Sequence, residues 1–221
     1  MALLNNIKAI YHMVKTVKAH EKIMKTKNLT DRHFKDAEDH IFKFEKFIDN
    51  NNRAKLSESL KILGFIKLDI ELIKNFMNHN FEESFKIAKS MKPGNKEMII
   101  NRQIDCLMEI KSRFSSEDFQ KQYGDDEIIL KTKVNSDSCY DNVGINMALA
   151  FGSYLDGNKE EMNVYLNRQL KQQNLSEILK EQGEQNQPWF YDNVSQKYIL
   201  FLNSLCDEHS INPIGKKMKA I

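Results

Sequence analysis

Two stretches of this chain follow one plan, and that plan limits what the whole can fold into. ELIKNFMNHNFEESFKIAKSM, within 70–91, and ALAFGSYLDGNKEEMNVYLNRQLK, at 148–171, align at a constant offset of 78 residues when Asn80 is set against Asn158. Phe76 and Met77 then match Tyr154 and Leu155, Glu82 and Glu83 match Glu160 and Glu161, and Ile87 and Ala88 match Tyr165 and Leu166. Each copy reads as an apolar helix, a turn of two or three residues, and a return helix entered through Asn with an acidic first turn. In the second copy Gly157 lacks the Cβ that penalises the left-handed conformation closing a helix. Asn158 can accept from the free N–H groups of the next helix, with Glu161 three residues on completing a capping-box-like start. The acidic pairs also sit at the positive ends of their helix dipoles. Any capped helix needs such residues, so the hinges speak for helical hairpins and leave open whether one copied the other.

The rest of the chain agrees. It has 221 residues, 41% of them hydrophobic and 29% charged, with only 3 prolines and 8 glycines to interrupt helices. That is a globular composition with long helices and few strands. The 33 basic residues nearly balance the 31 acidic ones, so net charge gives no reason to expect nucleic acid. Cys106, Cys139 and Cys206 are odd in number and far apart, which reads as buried free thiols in a reducing compartment. No apolar run is long enough to span a membrane, and the first residues lack the pattern of a secretory signal. A cytoplasmic protein without stable membrane insertion is expected.

Along the chain, helices are expected at about 3–26, 31–49 and 53–78, followed by the first hinge. In the first, Leu4, Ile7, Tyr11 and Val14, flanked by Leu3, Ile10 and Val17, form an apolar stripe expected to face the core. Lys8, Lys15 and Lys22 are read as the opposite, outer side. Up to Lys27 this segment has six lysines against the single acid Glu21, a basic amphipathic pattern that can also lie on an anionic membrane. The second helix is expected to turn Phe34, Ala37, Ile41, Phe44 and Ile48 inward, with Phe47 at the edge, and the fifth Ile100, Ile104, Leu107 and Phe114. A short helix opens at Ser116 and is expected to close at Gly124. The stretch 125–136, DDEIILKTKVNS, fits a strand or an extended crossover and is read as a connector. Residues 1–124 then form an N-terminal helical half, 137–209 a C-terminal half and 210–221 a tail, together one compact unit. Further helices are expected at about 137–156, 158–173 and 175–182, and a last one from Pro188. The expected fold is all-α, about nine or ten helices in antiparallel hairpins, as a bundle or short solenoid.

Catalytic chemistry has one foothold. In HFKDAEDH, His33, Asp36 and His40 fall within about 60° of one another on a helix, and groups one turn apart can share a divalent metal. A second ligand-bearing helix would have to add lone acids such as Asp105 or Glu109, because no E-x-x-H or H-E-x-x-H occurs. The same residues border the Phe34/Ala37/Ile41/Phe44 stripe, where boundary histidines beside a carboxylate are ordinary, so no metal or other cofactor is expected. Phosphate-binding glycine loops and the G-x-S-x-G nucleophile motif are missing. Partner binding remains. Its expected anchors are the exposed large side chains: Phe42, opposite its helix's core face, and the consecutive aromatics Trp189, Phe190 and Tyr191. Glu160 and Glu161 complete the expected contact set.

The hinge text LAFGSYLDGNKEEMNVYL resembles the helix-turn-helix of tetratricopeptide-like repeats, without their period of about 34 residues. The whole chain, in size and helical style, is similar to the all-helical immunity proteins of bacterial polymorphic toxin systems. That resemblance implies a cytosolic protein that binds and blocks one cognate toxin. A metal-dependent bundle enzyme using His33, Asp36 and His40, and a membrane-surface or scaffold adaptor working through the first helix, are the alternatives.

Overall fold

The structure, a computed structural model, describes residues 2–26, 29–48, 52–91, 96–136, 140, 142–170 and 195–208. Among them are nine helices and no strand. They are α1 (Ala2–Lys25), α2 (Asp31–Lys46), α3 (Ser57–Met77), α4 (Phe81–Ser90), α5 (Lys96–Arg113), α6 (Ser116–Ser136), α7 (Val143–Leu155), α8 (Lys159–Leu170) and α9 (Gln196–Glu208). The all-α expectation holds. Successive helices pair as hairpins: α1 with α2, α3 with α4, α5 with α6 and α7 with α8. The pairs meet through α1 on α3, α4 on α5 and α5 on α7, while α9 leans on α7. The expected helix at 175–182, the start of the last helix at Pro188, the aromatics Trp189, Phe190 and Tyr191, Cys139 and the tail lie outside the described residues.

Both hinges close with the same backbone pattern. In the first, Asn80 N–H donates to Asn75 C=O (2.9 Å) and His79 N–H to Phe76 C=O (3.0 Å). In the second, Asn158 N–H donates to Ser153 C=O (2.9 Å) and Gly157 N–H to Tyr154 C=O (3.0 Å). These crossed bonds are a Schellman closure, which needs a left-handed residue just past the helix end. Gly157 takes it at φ 68°, and His79 takes it at φ 60° in spite of its Cβ. In the second hinge the Asn158 part of the capping expectation holds, since Glu161 N–H donates to Asn158 Oδ1 (3.1 Å). The Glu161 carboxylate is taken up by Lys131 and Ser153 and does not complete a capping box. In the first hinge Asn80 makes no side-chain cap bond.

The centre of the molecule is α5. Every residue from Arg102 to Ser112 is buried, polar ones included. Its expected stripe of Ile100, Ile104 and Leu107 is inside, and Phe114 packs against the core from just beyond the helix. Beside it α7 is buried from Ile145 to Ser153, a surface apolar on every side except at Asn146 and Ser153, which suits an internal helix. Cys106 is a free, buried thiol and Cys206 is buried too, as expected.

Two expectations fail. The first concerns 116–136, which is one unbroken helix: Gly124 lies within it, and the expected connector 125–136 is its second half. The inward positions run Phe119, Glu127, Leu130 and Val134, a helical spacing hidden by the acid among them. Ile128 and Ile129, which suggested a strand, face outward.

The second concerns α1, which is turned the other way round. Its buried face is Ala9, Met13, Thr16, Ala19 and Ile23, while Leu4, Ile7, Ile10, Tyr11 and Val14 are 48–57% exposed. Small side chains at Ala9, Thr16 and Ala19 let α1 lie close against its neighbours. His12 stacks on Phe47 and His20 bonds Asp69, which draws that narrow face inward. At 100° per residue Lys8, Lys15 and Lys22 stand beside the outer apolar stripe, not opposite it.

These backbone assignments fix the sign of two substitutions. A Cβ on Gly124 would meet only the far end of the Gln120 side chain, within its own helix. Gly124→Ala is therefore expected to stabilise by about 0.5–1 kcal/mol through helix propensity. Gly157→Ala, at positive φ, is expected to destabilise by about 1 kcal/mol. Urea unfolding of both variants would check the opposite signs.

Candidate functional site

The three residues of the metal alternative do not converge. His33 Nδ1 accepts from the Thr30 backbone N–H (3.2 Å) and lies 3.0 Å from Thr30 Oγ1, so it closes the start of its own helix. His40 Nδ1 lies 3.1 Å from His12 Nδ1 on α1, and its Nε2 is 4.0 Å from Asp36 Oδ1. Burial, then the neighbouring His40 and Lys43, hold the His12 pKa below the ordinary imidazole value. Among the described residues no group of three or more His, Cys, Asp or Glu side chains is placed to hold a metal ion.

Of the expected partner contacts, Phe42 is 58% exposed, with the Lys46 ammonium 4.5 Å from its ring centre. It borders a cleft of about 420 Å³ between α2 and α3, floored by Ile41 and Ile70. Two ion pairs cross this cleft, Lys67 to Glu45 (2.5 Å) and Lys74 to Glu38, and Glu71 adds a further carboxylate. An apolar floor with charges of both signs at its rim suits a protein side chain or helix better than a small polar substrate. A second cleft of about 320 Å³ lies at the first hinge, where Arg113 stacks on Phe81 (4.4 Å).

Glu160 is exposed, but Glu161 is committed elsewhere. It accepts from Lys131 (2.9 Å) and from Ser153 Oγ (2.8 Å). Burial opposes its charge, and these hydrogen bonds with the nearby lysines still hold its pKa below the ordinary value. Lys131 also reaches Glu127 (3.2 Å), which accepts from Lys111 (2.8 Å), and Lys111 in turn bonds Asp156 (2.5 Å). This chain of charges fastens α5, α6, α8 and the end of α7 together.

A second buried ionic cluster went unread in the sequence. Asp69 on α3 accepts from Arg102 Nε on α5 (3.0 Å) and lies 2.8 Å from His20 Nε2 on α1. Burial alone would push the Asp69 pKa up, but Arg102 and His20 bring it down to about 2, from an ordinary 3.8. Its partners lie 33 and 49 residues away in sequence, so no local pattern could have shown it. One turn along α5, burial raises Asp105 to about 7, against the opposing pull of Arg102, and among the described residues its buried Oδ2 has no hydrogen-bond partner. Burial likewise raises Glu109 to about 7, although it accepts from the Ser195 backbone N–H (3.1 Å) at the start of α9.

The shifts have opposite consequences with pH. Asp69, with a lowered folded pKa, contributes stability that is present above about 3.8 and lost as pH falls through about 2. Asp105 and Glu109, with raised folded pKa values, contribute stability that is present below their ordinary 3.8 and 4.5 and lost as pH rises through about 7. From these three groups, unfolding free energy measured in urea is expected to peak at about pH 4 and to decline until about pH 7. Asp105→Asn should flatten that decline. Arg102→Ala, which strands Asp69 in the core, should cost about 3–5 kcal/mol at any pH above the acid limb.

Comparison with protein families, with curated proteins and with solved structures finds no match to this chain. Its surfaces are therefore what supports a functional reading.

Proposed function

We propose that the chain is a protein-binding module of the cytoplasm, acting as an immunity protein that neutralises a cognate bacterial toxin by stoichiometric binding. The carrying observation is the α2–α3 cleft with Phe42 standing exposed beside it. A large aromatic next to an apolar groove ringed by paired charges has the make-up of a protein-interface hot spot. The rim carries Lys67, Lys74, Glu38, Glu45 and Glu71, so a partner can exchange its own charges for the internal pairs as it docks. The hairpins behind the cleft are held by buried ionic ties, which suits a rigid surface that occludes an active site without chemistry of its own. The immunity role itself rests on resemblance in size and style.

The test is functional. Tagged full-length protein is recovered from its native host, and the species bound in stoichiometric amount is expressed alone and together with this chain. Growth arrest by the partner alone, relieved by co-expression, is the expected result. Phe42→Ala should leave stability within about 0.5 kcal/mol, as an exposed position allows, and weaken the complex by at least about tenfold. A partner that is harmless alone would sink the immunity reading, and unchanged affinity in Phe42→Ala would remove the cleft as its site.

A further inference from the structure

The outward face of α1 is an apolar and basic surface that the cleft does not use. Leu4, Ile7, Tyr11 and Val14 run along one row for three turns, with Ile10 beside them, all about half exposed. The row continues as Lys18, Lys22 and Lys25, all seven positions falling within about 80° on the helix. Lys8 and Lys15 run along one edge of the apolar part, and Glu21 is the single acid on α1. All five lysines are exposed. Neither of the two clefts described above is lined by an α1 residue.

From this arrangement we infer that α1 is a docking surface for an anionic phospholipid membrane. The apolar turns enter the headgroup boundary, and the lysine end of the same row lies on lipid phosphates. An interfacial helix requires this combination, with apolar bulk facing the bilayer and long cationic side chains reaching the headgroups beside it. A second copy of the chain fits less well. Five half-exposed side chains offer on the order of 500 Å², short of the roughly 800 Å² that each partner of a stable dimer buries. Self-pairing along this face would also leave the lysines without carboxylates, Glu21 aside. A lipid surface requires neither a pocket nor a matched shape, only apolar depth and negative charge. Among the described residues no helix is long and apolar enough to cross a membrane, so the association is peripheral.

The test uses the full-length chain and flotation with phosphatidylcholine vesicles, with and without phosphatidylglycerol, at low and high salt. Binding is expected only when phosphatidylglycerol is present, and it should fall as salt rises. Lys18→Ala/Lys22→Ala/Lys25→Ala should lower partitioning on the order of a hundredfold. Ile7→Ser/Tyr11→Ser should also abolish flotation, with circular dichroism confirming that the fold is retained. Equal binding to both vesicle types, no binding to either, or binding indifferent to both variants would overturn the inference. So would a concentration-dependent dimer in lipid-free solution that Ile7→Ser/Tyr11→Ser dissolves, which would make this face a self-interface. The cleft reading stands or falls independently, since Phe42→Ala leaves α1 untouched.

Discussion

The contact on which the arrangement of the N-terminal helices depends is the buried triad of Asp69, Arg102 and His20. A guanidinium and a carboxylate taken out of water gain little net stability as a pair, but each becomes very costly without the other. Their value is therefore positional. Arg102 fixes the register of α5 against α3, and His20 carries the same carboxylate out to α1. Met24 adds a sulfur contact to Arg102 (3.2 Å), so α1 is gripped at two successive turns. Once α1 is held by His20 and Met24, its apolar outer row has nowhere to go but solvent.

The second ionic chain does the same for the other end of the molecule. Lys111 and Lys131 connect carboxylates on three elements, and Glu109 reaches the start of α9. The internal helix α5 thus contributes Arg102, Glu109 and Lys111 to three separate fastenings. An apolar α5 could pack as densely but would specify its angle and register less sharply. Polar side chains inside a helical stack are one way to select a single arrangement among many that bury similar area.

What the sequence revealed and what it hid follow the range of the interactions. The hinges were legible because their chemistry is local: Gly157, Asn158 and Glu161 act within one turn of each other, and the first hinge repeats the backbone pattern with a histidine in the glycine's place. The inward face of α2 was legible because Phe34, Ala37, Ile41 and Phe44 have no competing stripe. On α1 two faces competed, and the one with greater apolar bulk lost to the one with smaller side chains and two histidines. On α6 the acid Glu127 occupies a core position, which broke the apolar period and made a continuous helix look like a helix and a connector. Of the candidate site, Phe42 was visible as an apolar residue off its helix's core face. The cleft beside it was not, since it forms only when α3 comes alongside.

Asp105 and Glu109 give the molecule a further thermodynamic property. Both carboxyls titrate at about 7 when folded, against ordinary values of 3.8 and 4.5. Folding at neutral pH therefore takes protons from the medium, and unfolding returns them. The heat absorbed when the protein melts then includes the ionisation heat of whichever buffer accepts those protons. Calorimetric enthalpies measured in phosphate and in Tris would differ, although the protein undergoes the same structural change in both.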